Sequence, residues 1–335
     1  DAKASLTAFS SPLMHFGYAP DRCKANEANA VKERVENVRS DVCLTRQIMG
    51  YATEFIGMFL SGVEGKMMPA EFDELWANQS RPMQRTILER GSMAGNWIRR
   101  IISSFMKREA TIGVKPARLI SVFPDADKPK YSVYMMAMAK HLKNSPFYAF
   151  GCAPANVAAR VVDICRNAYK GVIATDFSKF DGTISPALRA VEKMLLTRAF
   201  AKQCTAEVLD LHRKSYGLKV FGAFGTSWRQ GTGRGSGGPD TSVLNTILNL
   251  FFQYSALRES ENPRTGIRFT PEEAYAALGI AGGDDGLLAD VPVNVAVATA
   301  EKLGLKLKAV FITKGEKGVN FLAREYGPTV WYGDT

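Results

Sequence analysis

The stretch AGGDDGLLAD, residues 281 to 290, places the carboxylates of Asp284 and Asp285 side by side between glycines and apolar residues. The apolar residues on either side predict two short strands, and the glycines favour a tight hairpin turn between them. Adjacent carboxylates repel each other, and burying them is costly unless positive charge compensates. An ordinary Asp-Gly turn facing water is the alternative, and these residues alone favour it. A third carboxylate nearby, with a reason to bind a divalent metal, would reverse that preference.

The stretch KGVIATDFSKFDGTIS, residues 170 to 185, supplies the third carboxylate. Its apolar and β-branched run predicts a strand that ends at Asp176, and Asp181 follows five residues later. If this strand pairs with the hairpin, then Asp176, Asp284 and Asp285 converge at one edge of a sheet. Carboxylate oxygens bind Mg²⁺, and two such ions about 4 Å apart clamp the attacking and leaving oxygens of a phosphoryl transfer. We therefore predict these three aspartates to be catalytic ligands of two Mg²⁺ ions, with Mn²⁺ as a substitute.

A third segment, SGGPDTSVLN, lies between these two and runs from Ser236 to Asn245. Thr241 and Asn245 are four residues apart on a predicted helix, so their side chains share one face. Glycines such as Gly237 allow a strand of nucleic acid to approach the backbone closely. A capped helix after a flexible loop is the alternative for this segment taken alone.

Composition favours an anionic partner. The chain has 335 residues, 46% of them hydrophobic, and 43 Lys plus Arg against 33 Asp plus Glu give a net charge of +10. The five cysteines form no C-x-x-C pair and there are three histidines, which argues against a zinc site or a disulfide framework. No apolar run approaches the ~20 residues that span a bilayer.

The remaining segments predict the fold class. Val31, Val35, Val38 and Val42 recur at helical spacing, and TRQIMGYATEFIGMFL, RPMQRTILERG and PANVAARVVDICRNA also predict helices. The basic stretch FMKREATIGVKPARLISVF ends as a predicted strand. From residue 170 onwards, a strand, helices, the hairpin, a helix and two strands follow. This order predicts an α+β fold in which helices cover one face of an antiparallel sheet.

Taken in order, these segments resemble the palm of viral RNA-dependent RNA polymerases. Asp176 and Asp181 are similar to that family's motif A, residues 236 to 245 to motif B, and residues 283 to 285 to motif C. The helix ending at Gly304 with the strand after it resembles motif D, and NFLARE, residues 320 to 325, resembles the motif E hairpin. The run VNFLAREYGPTVWYGD is most similar to nodavirus polymerases.

The resemblance implies a right-hand polymerase with helical fingers, an antiparallel-sheet palm and a thumb that is largely absent. The fingers would occupy residues 1–165, with the basic stretch 107–123 similar to motif F. The palm would occupy residues 166–327, with an excursion into the fingers at about 218–238, and the thumb would begin at 328–335. Because the chain starts at Asp1 without a methionine or signal peptide, it is expected to be a piece of a longer protein.

The resemblance also implies a role for each matched residue. Asp176 and Asp284 would be the principal metal ligands and Asp285 a weaker one. Ribose would be held by Asp181, Asn245 and Thr241, template and ribose would be positioned by Ser236 and Gly237, and the triphosphate would be neutralised by Lys107, Lys115 and Arg118. A lysine after the motif D helix would protonate pyrophosphate. Lys306, Lys308 and Lys314 compete for this role, and Lys314 is preferred because the other two alternate with leucines as a solvent-facing strand would.

The implied activity is template-directed synthesis of viral RNA from ribonucleoside triphosphates, with RNA template and nascent RNA as partners. The remainder of a longer replicase, assembled on membranes in the host cytoplasm, is a further expected partner. A reverse transcriptase is one alternative, but it places a bulky aromatic where this chain has Asp181, with Phe180 one residue earlier. A GGDEF-type cyclase is a second alternative, but it would carry an aromatic residue at the position where this chain has Gly286. A non-catalytic RNA-binding module would explain the charge but not the aspartates.

Overall fold

The computed structural model describes residues 4–11, 14–80, 82–93, 101–124 and 126–334. Its helices are α1 Lys24–Val31, α2 Arg46–Phe59, α3 Phe72–Ala77, α4 Pro82–Met93, α5 Lys128–Lys143, α6 Pro154–Asn167, α7 Phe180–Thr183, α8 Pro186–Ala199, α9 Lys202–Lys214, α10 Thr241–Arg258, α11 Pro271–Ala276 and α12 Val293–Lys302. Its strands are β1 Leu6–Ser11, β2 Met14–Pro20, β3 Ile101–Lys107, β4 Thr111–Ile112, β5 Arg118–Val122, β6 Gly171–Phe177, β7 Lys219–Gly222, β8 Ser227–Arg229, β9 Ile280–Gly282, β10 Asp285–Ala289, β11 Leu307–Thr313, β12 Val319–Phe321 and β13 Arg324–Tyr326. A 3₁₀ helix, Pro328–Tyr332, follows β13.

The central sheet has the strand order β11-β6-β10-β9, and each neighbouring pair is antiparallel. One face packs on the main core, where Ile173 and Leu288 meet apolar residues of several helices, α10 among them. Leu287 and Ile312 on the other face pack against α6 and the segment that follows β13. The predicted α+β class and antiparallel sheet are confirmed. The prediction that helices cover only one face is wrong, because α6 and the chain's last residues bury much of the second face.

Helix α10 is the central element of the main core. Fifteen of its residues, Val243 to Leu257, are buried. Its apolar side chains lie on every side, as expected of a helix surrounded by protein rather than lying at its surface. Ser185 and Thr270 cap α8 and α11 by accepting hydrogen bonds from backbone N–H groups in the first turn.

A second four-stranded sheet has the order β5-β3-β7-β8. Strands β3 and β5 form an antiparallel pair, and β7 joins the other side of β3 in parallel although it lies far away in the chain. The segment that contains β7 and β8 therefore leaves the central sheet and returns to it through the loop before α10. A smaller sheet of β1, β2 and β4 lies towards the amino end.

The valine pattern near residue 35 gave a wrong helix boundary. Helix α1 ends at Val31, a π-helical turn covers Lys32–Glu36, and the chain then leaves helical structure. Val38 is buried because its side chain packs against Gly182, where an added Cβ would lie 2.4 Å from Val38 Cγ2. A valine can thus be buried at the predicted spacing without being helical. Within the described residues, no helix combines the length and apolar character that crossing a membrane requires.

Candidate active site

Strands β9 and β10 form the hairpin that the opening stretch predicts. Asp285 pairs with Gly282, so Gly283 and Asp284 are the two turn residues, and Gly283 has a φ of +67°. That left-handed backbone conformation is accessible to glycine at little cost. A Cβ on Gly286 would lie 2.6 Å from Thr175 Oγ1 and 2.9 Å from Gln253 Nε2, so only glycine allows β10 to pack this closely.

Helix α10 fixes the hairpin through three buried polar side chains. Thr246 Oγ1 accepts a hydrogen bond of 2.8 Å from Gly283 N, and Asn249 Nδ2 donates to Gly283 O and Asp285 O at 3.1 Å each. Gln253 accepts from Gly279 N and donates to Ile280 O. None of the three side chains is exposed, so each bond is expensive to break. The position of Asp284 and Asp285 is therefore set by the helix behind the sheet.

Three carboxylates converge beside this turn. Gly286 pairs with Thr175, which brings Asp285 next to Asp176 on the neighbouring strand. Burial raises the pKa of Asp285 to about 6, with further contributions from the negative charges of Asp284 and Asp176. Partial desolvation also raises the pKa of Asp284, although this side chain reaches solvent at the turn, and Asp181 and Asp176 add to the rise while Arg118 opposes it. The predicted convergence of Asp176, Asp284 and Asp285 is thus present in the structure.

Compensation for the charge of these carboxylates by the described residues is weak, although Arg118 acts to lower the pKa of Asp284. Among the described residues, no Lys or Arg forms an ion pair with Asp176, Asp284 or Asp285. Nor do three acidic, imidazole or thiolate groups of the described chain stand close enough to hold a metal ion by themselves. Mg²⁺ at phosphate-handling sites is commonly held by one or two carboxylates together with substrate phosphates. Unpaired carboxylates, of which Asp284 and Asp285 have raised pKa values, are a donor set that fits this mode of binding.

Asp181 lies at the side of the same site, and each oxygen of its carboxylate accepts a hydrogen bond. Asn245 Nδ2 donates to Asp181 Oδ1 at 2.7 Å, and Ser236 Oγ donates to Asp181 Oδ2. Asp181, Ser236 and Asn245 therefore contact one another beside the aspartates. Thr241 does not join them, because its hydroxyl donates to Gly235 O at 3.1 Å and closes the loop before α10.

A buried charge cluster fixes the orientation of Asn245. Arg234 Nε donates to Asn245 Oδ1 at 2.6 Å, which turns the amide nitrogen of Asn245 towards Asp181. Arg234 also binds Asp240 at 2.6 Å and Glu192, while Arg189 binds Glu192 at 2.9 Å. Arg189, Glu192, Arg234 and Asp240 are all at most 4% exposed. Burial alone would raise the pKa of Glu192, but the two arginines reverse this and lower the pKa to about 2.

Gly237 serves protein packing in the structure. It has a φ of +100°, and a Cβ there would lie 2.8 Å from Ser121 O. The adjacent Ser236 O accepts a hydrogen bond of 2.7 Å from Ser121 N. The loop before α10 is therefore joined to the free edge of β5. Gly237 therefore allows the backbone of β5 to approach the loop closely. The sequence had led us to expect that nucleic acid would make this approach.

The predicted basic residues fall into two groups. Lys107 and Arg118 lie directly opposite each other on β3 and β5, and both contact Glu109, at 3.2 Å and 3.7 Å. Arg118 is near enough to Asp284 to affect its pKa. Lys115 lies exposed on the connection before β5 and forms no ion pair with a described residue. Of these three basic residues, Arg118 on the second sheet is thus the one shown to act on the aspartates.

The assignment of Lys314 as general acid is wrong. Its ammonium donates to Ala168 O at 2.6 Å and to Arg166 O at 2.9 Å, at the carboxyl end of α6. Along β11, Thr313 pairs with Gly171 whereas Lys308 pairs with Asp176, so Lys314 lies about 20 Å from the aspartates at ~3.3 Å per strand residue. Lys308 is exposed on the face that Asp176 shares. The alternation of lysines with leucines correctly indicated that Lys308 lies on the exposed face of a strand. That face, however, borders the site, because Lys308 pairs with Asp176.

The fold and site together define a polymerase palm: an antiparallel sheet with acidic residues on adjacent strands and a buried helix behind it. The RNA-dependent RNA polymerase of a human picorbirnavirus, in an insertion-loop deletion mutant, superposes with a TM-score of 0.65 at 16% identity, covering 90% of this chain and 62% of that one. The family model described as viral RNA-dependent RNA polymerase matches residues 134–333. The chain belongs to the viral RNA-dependent RNA polymerase family.

Its relatives include nodavirus proteins, which confirms the resemblance. The RNA-directed RNA polymerase of Nodamura virus (strain Mag115) is 28% identical over 344 residues, covering 97% of this chain and 31% of that protein. That of Atlantic halibut nervous necrosis virus is 28% identical over 324 residues, covering 94% and 32%. The chain thus spans about a third of the length of these curated relatives.

Sequence reasoning missed the residues that support the site. Thr246, Asn249 and Gln253 are polar residues three and four positions apart on an otherwise apolar helix, and that spacing was available as a signal. Arg234, which orients Asn245, lies in the glycine-rich loop and was not singled out. Its partner Glu192 lies on α8, and no local pattern connects the two.

Proposed function

We propose that the chain carries the catalytic centre of an RNA-dependent RNA polymerase, which joins ribonucleoside triphosphates to an RNA 3′ end as directed by an RNA template. The observation that carries this proposal is the convergence of Asp176, Asp284 and Asp285 at one sheet edge, beside the Asp181–Asn245 pair. Carboxylates without cationic partners suit metal-assisted transfer of a nucleotidyl group. The pair beside them offers polar groups to a sugar hydroxyl.

Different residues of the site would bind the metal ions, neutralise the triphosphate and donate a proton. Asp176 and Asp284, with Asp285 as the weaker ligand, would hold two Mg²⁺ ions, which would offset the carboxylate charge and stabilise charge on the transferring phosphoryl group. Arg118, with Lys107 and Lys115, would neutralise the triphosphate, because a guanidinium binds phosphate oxygens in pairs. Lys308 takes the place of Lys314 as the cation nearest the site on β11 and would be positioned to protonate the leaving pyrophosphate.

The selection of ribose would rest on Asp181 and Asn245, positioned by Ser236. A polar pair that loses a hydrogen-bond partner when the 2′-hydroxyl is absent discriminates against deoxynucleotides. A reverse transcriptase would instead exclude the hydroxyl by bulk. Phe180, the aromatic residue adjacent to Asp181, is buried in the core and packs against Phe177, so it does not supply such a block.

The direct test is Mg²⁺-dependent incorporation of nucleotides by this chain on an RNA primer–template, with matched ribo- and deoxyribonucleotides. The proposal predicts incorporation that requires the metal, with ribonucleotides strongly preferred over deoxyribonucleotides. Incorporation that prefers deoxynucleotides would instead favour a reverse transcriptase. Binding of RNA without any incorporation, with Mg²⁺ or with Mn²⁺, would favour a non-catalytic RNA-binding module.

The longer relatives suggest the setting of this activity. We propose that the chain works as part of a longer viral replicase on RNA template and nascent RNA, in membrane-associated complexes in the host cytoplasm. Support for the longer protein comes from the share of each curated relative that the chain covers. Fractionation of infected cells with an antibody against this region would place the protein in the membrane fraction, and recovery in the cytosol would contradict the proposal.

A further inference from the structure

The hairpin of β12 and β13 turns through two residues whose backbone conformation is unusual for their type. Phe321 pairs with Arg324, so Leu322 and Ala323 alone form the turn, with φ values of +50° and +57°. A two-residue hairpin turn of this kind needs a positive φ at both positions, and Asn-Gly is the usual choice because most other L-residues are strained there. Among the described residues, no other two consecutive non-glycine residues both have a positive φ. Such strain persists where surrounding contacts hold it, and it is concentrated at functional sites.

The side chain of Leu322 lies against the hairpin of β9 and β10, which we call the aspartate hairpin. A Cβ added to Gly282 would lie 3.2 Å from Leu322 Cδ1 and 3.3 Å from Leu322 Cδ2, so both methyl groups cover the backbone of Gly282. Leu322 is half-buried and packs against the apolar cluster beside α6. An Asn-Gly turn would relieve the strain, but it would place no methyl group over Gly282. The strained turn therefore makes a contact that the usual turn sequence could not make.

This contact is on the face of the central sheet that carries the aspartates. Side chains two residues apart on a strand share a face, and Leu287 belongs to the cluster that Leu322 joins, so Asp285 lies on that face too. Gly282 pairs with Asp285 and lies on the same face, because it follows Ile280 of that cluster by two residues. The methyl groups of Leu322 therefore cover the position directly beside Asp285 in the sheet.

The two faces of the aspartate hairpin are held by different means. On the face towards α10, three buried polar side chains fix its backbone by hydrogen bonds, those of Thr246, Asn249 and Gln253. On the opposite face Gly282 has no side chain of its own, and the atoms nearest to the place of its missing Cβ are the Leu322 methyl groups and Ala149 Cβ. Hydrogen bonds from one side and apolar contact from the other together limit movement of the hairpin in both directions.

We infer that Leu322 is a positioning residue, which supports the aspartate hairpin from the side opposite α10 and so sets the place of Asp284 and Asp285. A displacement of about 1 Å at a reacting centre can cost on the order of 10²-fold in rate, so a contact that limits movement at Gly282 affects the chemical step. Leu322 acts through the hairpin and has no contact with nucleotide or RNA in this role. The inference rests on the proposed function, because it adds a positioning residue to the same site.

The decisive variant is Leu322→Asn/Ala323→Gly, which gives the turn its usual sequence and removes the methyl groups. It should melt within about 2 °C of the unaltered chain, because relief of strain offsets the lost packing. Its kcat for single-nucleotide incorporation on an RNA primer–template should nevertheless fall at least about 10-fold. KM for the nucleotide should change by less than about 2-fold, because the residues expected to bind the nucleotide are unaltered. Ala323→Gly, which keeps Leu322, should retain kcat and melt about 2 °C higher.

A reciprocal substitution tests the contact itself. Gly282→Ala should slow incorporation in the otherwise unaltered chain, because its Cβ would lie 3.2 Å from Leu322 Cδ1 and displace the hairpin. In Leu322→Ala the same Cβ enters the vacated space, so Gly282→Ala/Leu322→Ala should incorporate at least about 3-fold faster than Leu322→Ala. Crowding by Ala149 is the same in both backgrounds, so the difference reports on Leu322. Val162→Ala, which removes methyl groups from the same cluster on α6, is the matched control and should retain kcat.

Hydrogen exchange of the aspartate hairpin measures its position without any activity. Peptides from residues 279–290 should exchange at least about 5-fold faster in Leu322→Asn/Ala323→Gly, and at the unaltered rate in Ala323→Gly and Val162→Ala. Unaltered kcat and exchange in the first variant, or no recovery in Gly282→Ala/Leu322→Ala, would overturn the inference. A melting temperature of Leu322→Asn/Ala323→Gly more than about 5 °C below that of the unaltered chain would also overturn it, because the turn would then serve stability rather than position.

The two proposals can fail separately. If the unaltered chain incorporates no nucleotide with Mg²⁺ or Mn²⁺, while exchange of the aspartate hairpin depends on Leu322 as expected, the polymerase assignment fails and the support of the hairpin by Leu322 stands. If the chain incorporates nucleotides and the Leu322 variants match it in both rate and exchange, only the present inference fails.

Discussion

Asp181 illustrates how single residues would set the selectivity that we propose for this site. Both oxygens of its carboxylate already accept hydrogen bonds, from Asn245 and from Ser236, so its orientation is fixed before any substrate arrives. A preoriented group loses less freedom on binding than a mobile one and discriminates better. The sugar hydroxyl of a ribonucleotide would meet a polar surface that is already arranged for it.

Replacing Asn245 with alanine should therefore lower the preference for ribonucleotides. The change leaves Asp181 without its amide partner, and a lost buried hydrogen bond of this kind costs about 1–3 kcal/mol. We expect the ratio of kcat/KM for matched ribo- and deoxyribonucleotides to fall about 10-fold or more, chiefly through slower use of ribonucleotides. Asn156→Ala, at an exposed position on α6, is the control. An unaltered ratio in Asn245→Ala would contradict the role given to the pair.

Strand β11 shows what periodicity predicts and what it leaves open. The alternation of lysine with apolar residues correctly indicated a strand, and the motif order correctly placed that strand after α12. The register of β11 against β6 decides which lysine reaches the aspartates, and that register depends on contacts that no local pattern encodes. In the observed register, Lys308 lies beside Asp176. Lys314, further along the chain, instead contacts the carboxyl end of α6.

Substitutions of the two lysines should consequently have different effects. Lys314→Ala removes an ammonium that binds carbonyls at the end of α6, so we expect it to cost about 1 kcal/mol of stability and to leave nucleotide incorporation nearly intact. Lys308→Ala should lower kcat by about 10²-fold, the usual scale for loss of a proton donor. Urea denaturation and single-nucleotide incorporation measure the two effects. A large loss of kcat in Lys314→Ala would restore it as the proton donor.

The buried cluster between α8 and the loop before α10 predicts a pH-dependent stability. The pKa of Glu192 is about 2, against an ordinary value of 4.5, because two arginines favour its ionised form over the effect of burial. Its stabilising contribution is complete above pH 4.5 and is lost as the pH falls towards 2. Glu192→Gln should therefore reduce the free energy of unfolding by about 3–5 kcal/mol at pH 7.

The same reasoning gives the sign of the pH effect. The difference in unfolding free energy between the unaltered chain and Glu192→Gln should narrow as the pH falls from 4.5 towards 2, as denaturation in urea at several pH values would show. Glu301→Gln, at an exposed position on α12, should show no such difference at any pH. A deficit in Glu192→Gln that grows on acidification would mean that Glu192 is not held ionised by Arg189 and Arg234.

At the scale of the whole molecule, the candidate active site is assembled where two sheets and one helix meet. The central sheet contributes Asp176, Asp284 and Asp285, the second sheet contributes Arg118, and α10 holds the hairpin from behind. The acidic motifs could be predicted from sequence because each has a local signature and their order is distinctive. The second sheet could not, because it depends on the parallel pairing of β3 with β7, which are distant in sequence.

The central claim is that Asp176 and Asp284 act as one metal-dependent unit. The measurement is single-nucleotide incorporation on an RNA primer–template, with Mg²⁺ in excess, by Asp176→Asn, Asp284→Asn and the double variant. Each single variant should lose on the order of 10³-fold or more in rate and the double variant little beyond that, because groups that act together are not additive. RNA binding should persist in all three, and Asp73→Asn, at an exposed position on α3, should incorporate normally. Substantial activity in either single variant, or losses that multiply in the double variant, would contradict the account.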